Sequence, residues 1–207
     1  MKEYEMIIFD IDGTLWNACD ATLRAANLVA NKYSELREVS LQDINSVMGL
    51  SKKEIAKKLY SYLNEEKANF YVAEIIDKAI EIINNEGATL YPNVKEAIKK
   101  LSTKYKLGIV TSNIDGYAQL FIDKSGLEGC FFDWIGTTSY GITKSEAIGL
   151  MMERNNISSA CYVGDIEKDM LESLKAGADF IHARYGFDKN VKCDKHVDSV
   201  KELLSVL

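Results

Sequence analysis

The chain has no close pair of cysteines. Its four, Cys19, Cys130, Cys161 and Cys193, are scattered without a CxxC and without a Cys/His pairing. That spacing argues against a zinc site and a disulfide framework alike, and it fits reduced thiols in a cytosolic protein. A long apolar run is missing too. The opening "MKEYEMIIFD" meets acids before any extended apolar stretch, so it resembles neither a signal peptide nor a membrane span. A cytoplasmic protein with no membrane partner is the expectation. Basic charge is also in short supply: the formal net charge is -6, which removes nucleic acid and anionic membranes from the expected partners. Any anionic ligand must be small and locally captured. Of the two histidines, His182 and His196, neither falls at an expected strand end beside a partner, and neither is given a role. There is no internal repeat and no low-complexity segment.

What is present fits an ordinary globular protein with 47% hydrophobic and 27% charged residues. At 207 residues it is long enough for one good core plus a smaller insert. Short apolar runs recur at "MIIF" (6–9), "LGIVT" (107–111), "FFDWIGT" (131–137), "CYVG" (161–164) and "DFIHA" (179–183). Helix-like segments long enough for crossovers separate them, beginning with "NVKEAIKKLSTKY" and ending with "EKDMLESLKAG". This alternation predicts an α/β fold with a parallel sheet covered by helices. Residues 17–85 break the pattern, with helical periodicity throughout: Leu23, Ala26, Tyr33; Ile55, Leu59, Leu63; Ile75, Ala79, Ile83. They are read as an all-helical cap inserted into a core made of 1–16 and 86–207, with Gly87 and Pro92 marking the return.

Open α/β sheets bind ligands beyond the carboxyl ends of their strands. Asp10, Asp12 and Thr14 follow the first strand; Thr111, Ser112 and Asn113 follow the second; "GDIEKD" supplies Asp165 and Asp169. Lys144 stands in "TKSE", a capping-box pattern that puts the lysine in a helix's first turn, where a cation opposes the helix dipole. A solvated surface lysine is one reading of it; a phosphate and nearby carboxylates are the other. Four converging carboxylates would raise one another's pKa unless a cation joined them. Oxygen-rich, histidine-free ligation suits Mg²⁺. Asp165 and Asp169 would serve equally as caps of the helix they introduce.

In order, "DIDGT", Thr111, Lys144 and "GDIEKD" resemble the four motifs of the haloacid dehalogenase-like phosphohydrolases. "LYPNVKEAIKKLSTKYKLGIVTSN" and "ARYGF" look most like the phosphoglycolate phosphatase-type branch. The resemblance implies a Rossmann-like core with a helical cap inserted after the first motif. It implies that Asp10 is a nucleophile that becomes an aspartyl phosphate and that Asp12 is general acid and base. Mg²⁺ would be held by Asp10, the Asp12 backbone carbonyl and Asp165, with Asp169 in support. Thr111, Ser112, Asn113 and Lys144 would bind the phosphate. The dehalogenases proper lack an acid at the position of Asp12, which disfavours dehalogenation.

Trp16, at the end of the first core segment, and Asn17, Arg24 and Lys52 of the cap are the candidate substrate contacts. "SKKE", from Ser51 to Glu54, also reads as a capping box with a solvated lysine face, the plainer account of that lysine. The expected activity is therefore Mg²⁺-dependent hydrolysis of a small phosphorylated metabolite, phosphoglycolate among the possibilities, by a monomer or weak dimer. A sugar phosphomutase on the same scaffold is the alternative. A receiver-like phospho-acceptor module is a further reading, although it needs neither Asp12 nor a helical insert.

Overall fold

A computed structural model describes residues 3–207. In chain order its elements are β1 (Met6–Phe9), β2 (Trp16–Asn17), α1 (Cys19–Ala30), α2 (Leu41–Asn45), α3 (Lys52–Leu59), α4 (Glu65–Glu86) and β3 (Thr89–Leu90). There follow α5 (Val94–Leu101), β4 (Lys106–Thr111), α6 (Asp115–Ser125), β5 (Asp133–Gly136), α7 (Thr137–Tyr140) and α8 (Lys144–Arg154). The chain ends with β6 (Ala160–Gly164), α9 (Glu167–Lys175), β7 (Asp179–Ala183), β8 (His196–Val197), a 3₁₀ turn at Val200–Glu202 and α10 (Leu203–Val206). Two compact units result: one runs to Trp16 and resumes over Leu90–Leu207, and the other is Asn17–Thr89.

The first unit is built on a six-stranded sheet in the order β5-β4-β1-β6-β7-β8, parallel at every pairing. The expected parallel sheet is thus present. All four residues of β1 and all five of β6 are buried, as continuous apolar runs require in a sheet covered on both faces. One face packs Met6, Ile8, Val110 and Tyr162 against Ala147, Ile148 and Met151 of α8. Each fully buried Ile, Met or Phe contributes about 1.5–3 kcal/mol. That is the scale needed to hold a strand whose end carries desolvated charge.

Register fixes what meets at the strand ends. Phe9 lies level with Ile109 on one side and Val163 on the other, so Asp10, Thr111 and Asp165 emerge together. The chain leaves β1 towards β4 and β5, whereas it leaves β6 towards β7 and β8. Asp10 and Asp165 consequently stand where the winding reverses, the place at which such sheets bind ligands.

The second unit is helical, from α1 to α4. Its boundary falls after Thr89 rather than at 85, because α4 continues to Glu86 and closes on Gly87, whose φ of 80° suits glycine. The helical reading overreached at two residues. Tyr33 lies beyond α1, in turns where its N–H reaches Ala30 and Leu36 N–H reaches Tyr33. Leu63 lies in a turn closed on Tyr60, just before Asn64 caps α4 by accepting from Lys67 N–H. Asn64 breaks the helical run because its side chain offers the backbone an alternative partner.

Candidate active site

Asp10, Asp165 and Asp169 are all buried and bring one carboxylate oxygen each to within 4.8 Å of the others. Lys144, only 4% exposed, donates to Asp10 Oδ1 at 2.8 Å and to Asp169 Oδ1 at 2.6 Å. The lysine owes its place to α8, whose first turn is fixed by the expected capping box. Thr143 Oγ1 accepts from Glu146 N–H at 3.2 Å, and Glu146 accepts from Thr143 N–H at 2.8 Å. Burial alone would lower the Lys144 pKa; the Asp10 and Asp169 carboxylates more than reverse this and hold it well above its usual value.

Asp169 serves both readings given to it. Its Oδ2 accepts from Asp165 N–H at 3.2 Å and caps α9, while its Oδ1 faces Lys144. Asp165 accepts from Phe187 N–H at 2.7 Å through Oδ2. Its Oδ1 is buried and, among the described residues, has no hydrogen-bond partner, a costly state for a carboxylate oxygen. Room for this group exists only because of glycine. A Cβ on Gly13 would come 2.1 Å from Asp165 Oδ2, and one on Gly186 would come 2.3 Å from Asp165 Cβ.

Burial pushes Asp10 up to about 7, with the Lys144 ammonium opposing and the Asp169 carboxylate assisting. Burial also lifts Asp165 well above its usual value, followed by repulsion from Asp169 and Asp10. With the three carboxylates of the group ionised, a single ammonium leaves two negative charges uncompensated, the deficit that one divalent cation would fill. The orphaned Asp165 Oδ1 and the all-oxygen donor set fit such a cation. These three side chains would hold it.

Asp12 gives no carboxylate oxygen to this group of three, although its charge is near enough to help push Asp10 up. Its Oδ1 accepts from Tyr117 O–H at 2.7 Å and from the Trp16 indole N–H at 3.1 Å. Burial raises Asp12 to about 6, and the bonds from Tyr117 and Trp16 oppose the shift. A carboxyl tuned so close to neutrality suits proton transfer in both directions.

Thr111 is buried at the end of β4, and its Oγ1 accepts from Asn113 N–H at 3.3 Å. The turn Ser112–Asn113 precedes α6, which begins only at Asp115. A second turn braces it: Thr138 Oγ1 donates to Ser112 O at 2.9 Å and Thr138 N–H to Asn113 O at 3.1 Å.

The expected substrate contacts fare differently. Trp16 is 1% exposed and belongs to the first unit's core, edge-on to Tyr117 and Phe121 at 5.5 and 5.1 Å. Its indole N–H makes it a partner of Asp12. The sequence already placed Trp16 four residues from Asp12. No motif in the sequence marks Tyr117, although a buried phenol needs a partner for its hydroxyl. Asn17 accepts from Cys19 N–H at 2.9 Å and so starts α1. Arg24 is engaged by Glu86 through both guanidinium nitrogens, at 2.6 and 2.9 Å. Lys52 is exposed at the first position of α3, where Glu54 accepts from Ser51 N–H at 2.8 Å.

A family model described as haloacid dehalogenase-like hydrolase matches residues 7–183. The chain is 25% identical, across 224 aligned positions, to the phosphoglycolate phosphatase of Vibrio cholerae serotype O1, covering 100% of this chain and 98% of that one. A haloacid dehalogenase-like family hydrolase from Streptococcus pneumoniae superposes with a TM-score of 0.86 at 20% identity, over 100% of this chain and 99% of that one. The β-phosphoglucomutase of Clostridium difficile gives a TM-score of 0.76 at 16% identity, over 97% and 93% of the two chains.

Proposed function

The chain belongs to the haloacid dehalogenase-like hydrolases, and from that premise we propose that it is a divalent-metal-dependent phosphatase, served by Mg²⁺, acting on a small phosphate monoester. The reading rests above all on one observation: a buried trio of carboxylates paired with Lys144, beside a fourth carboxylate, Asp12, kept separate and tuned near neutrality. The similarity to phosphoglycolate phosphatases along the whole chain supports a small carboxylated ester as substrate. The exposed insert residue Lys52 remains a candidate contact for it.

Asp10, at the end of β1, attacks the phosphorus, forming an aspartyl phosphate as the bond to the ester oxygen breaks. Asp12 gives its proton to that departing oxygen. It then takes a proton from the water that attacks the same phosphorus, whereupon the bond to Asp10 breaks and phosphate leaves. Thr111 and the Ser112–Asn113 turn grip the phosphate oxygens, and the Lys144 ammonium balances charge that spreads over them. Asp10, Asp165 and Asp169 would hold a divalent cation, which would supply further neutralisation of phosphate charge.

The phosphomutase alternative has the shared fold alone behind it. A panel of phosphate esters, scored for released phosphate with Mg²⁺ and with excess EDTA, tests the reading. Full turnover in EDTA sinks the metal dependence, and isomerisation of a sugar phosphate without phosphate release sinks the phosphatase.

A further inference from the structure

Asp12 is gripped by one oxygen. Tyr117 O–H and the Trp16 indole N–H both end on Oδ1, at 2.7 and 3.1 Å, and neither bond involves Oδ2. An indole N–H can only donate. It also lies 3.2 Å from Tyr117 Oη, which fills a lone pair of the phenol and turns the phenol's own proton towards Asp12. A phenol, with an ordinary pKa of about 10, keeps its proton throughout the neutral range and can donate it. Both rings are buried, and Trp16 is wedged edge-on between Tyr117 and Phe121. Neither donor can swing aside without opening the core.

We infer that Tyr117, assisted by Trp16, is a positioning residue for Asp12, filling Oδ1 with two donors so that the transferable proton resides on Oδ2 and points in one direction. The inference rests on the acid–base role given to Asp12 in the proposed function. In the first step the Oδ2–H bond breaks and the proton passes to the ester oxygen as its bond to phosphorus breaks. Negative charge then appears on a carboxylate whose other oxygen already carries two hydrogen bonds. In the second step a proton from the attacking water returns to Oδ2. Tyr117 surrenders no proton at either stage; it restricts the torsion of the group that does.

The test compares wild type, Tyr117→Phe, Asp12→Asn and the double variant, as full chains with Mg²⁺, on a small alkyl phosphate and an activated aryl phosphate. Tyr117→Phe should lower kcat for the alkyl ester about tenfold with little change in KM. The burst of phenol from the aryl ester, whose leaving group needs no proton, should change less than about twofold. In the Asp12→Asn background, Tyr117→Phe should have no further effect, since there is no acid left to position. A merely structural Tyr117 would depress both esters equally and would act additively in the double variant; either result overturns the inference. Should Tyr117→Phe fail to fold, Trp16→Phe removes the other donor and is judged by the same two criteria. Full alkyl ester turnover by Asp12→Asn would instead refute the acid–base assignment in the proposed function, and this inference with it. An impaired Asp12→Asn beside an unimpaired Tyr117→Phe refutes this inference alone.

Discussion

Lys144 donates to Asp169 at 2.6 Å, and both side chains are buried. The pair ties the first turn of α8 to the first turn of α9, and a second link between the same helices runs from Ser145 N–H to Glu172 at 2.8 Å. Lys144 is therefore a structural strut as well as the charge proposed to balance phosphate.

Removing one member of a buried ion pair leaves the other charge uncompensated, typically at a cost of about 3–5 kcal/mol. Lys144→Ala should destabilise the metal-free protein on that scale in urea unfolding at pH 8. At pH 6 the loss should shrink, because Asp10, raised to about 7, can take up a proton instead. An equal loss at both pH values would contradict the charge assignment.

Asp165→Asn removes the oxygen that is buried without a partner. In EDTA the variant should melt at a higher temperature than wild type, since repulsion from Asp169 and Asp10 is relieved. Added Mg²⁺, which should raise the wild-type melting temperature in proportion to the logarithm of its excess, should no longer do so. Calorimetry with and without the metal reads both effects.

The folded protein holds protons on Asp10 up to about 7 and on Asp12 up to about 6, whereas the unfolded chain releases them near 3.8. Their contribution to metal-free stability is fully present below 3.8 and is lost as pH rises through 6 and 7. In EDTA the melting temperature should thus fall from pH 5 to pH 8, and Asp10→Asn should flatten the slope. Saturating Mg²⁺ should reverse the trend, because the metal binds the deprotonated carboxylates.

The two aspartates of "DID" should fail differently. Asp10→Asn should abolish turnover. Asp12→Asn should lose about 10²–10⁴-fold on an alkyl phosphate, yet still give nearly one equivalent of phenol in a rapid burst from an aryl phosphate. Mass spectrometry of the burst product should find the phosphoryl group on Asp10; a label on any other side chain would falsify the nucleophile.

Much of this was legible because it depends on strand ends. Apolar runs of four or five residues mark buried parallel strands, and the residues at their ends share one edge, which brings Asp10, Thr111 and Asp165 together from the sequence alone. Lys144 was legible through its capping box, a signal local to four residues. Tyr117 and the true place of Trp16 were not, since their meeting at 3.2 Å joins positions 101 apart. Nothing in the sequence near Tyr117 distinguishes a phenol that reaches a carboxylate from one that fills a core. The helical insert was legible as helical but not in detail. Its breaks near Tyr33 and Leu63 are set by turns and by Asn64, while the apolar spacing runs on through them.

Arg24 and Glu86 join the beginning of the helical unit to its end, 62 residues later. Next to them the chain enters through β2 and leaves through β3, paired side by side, as neighbouring strands about 4.8 Å apart. A unit whose two ends are one strand spacing apart imposes no stretch on the polypeptide that carries it. It is a module in the genetic sense, open to replacement by a longer, shorter or differently shaped segment without moving the residues before Trp16 or after Leu90. If the insert contacts substrate, as proposed for Lys52, new substrate preferences could be acquired there by exchange of a single contiguous stretch of gene, leaving the strand ends and their aspartates as they are.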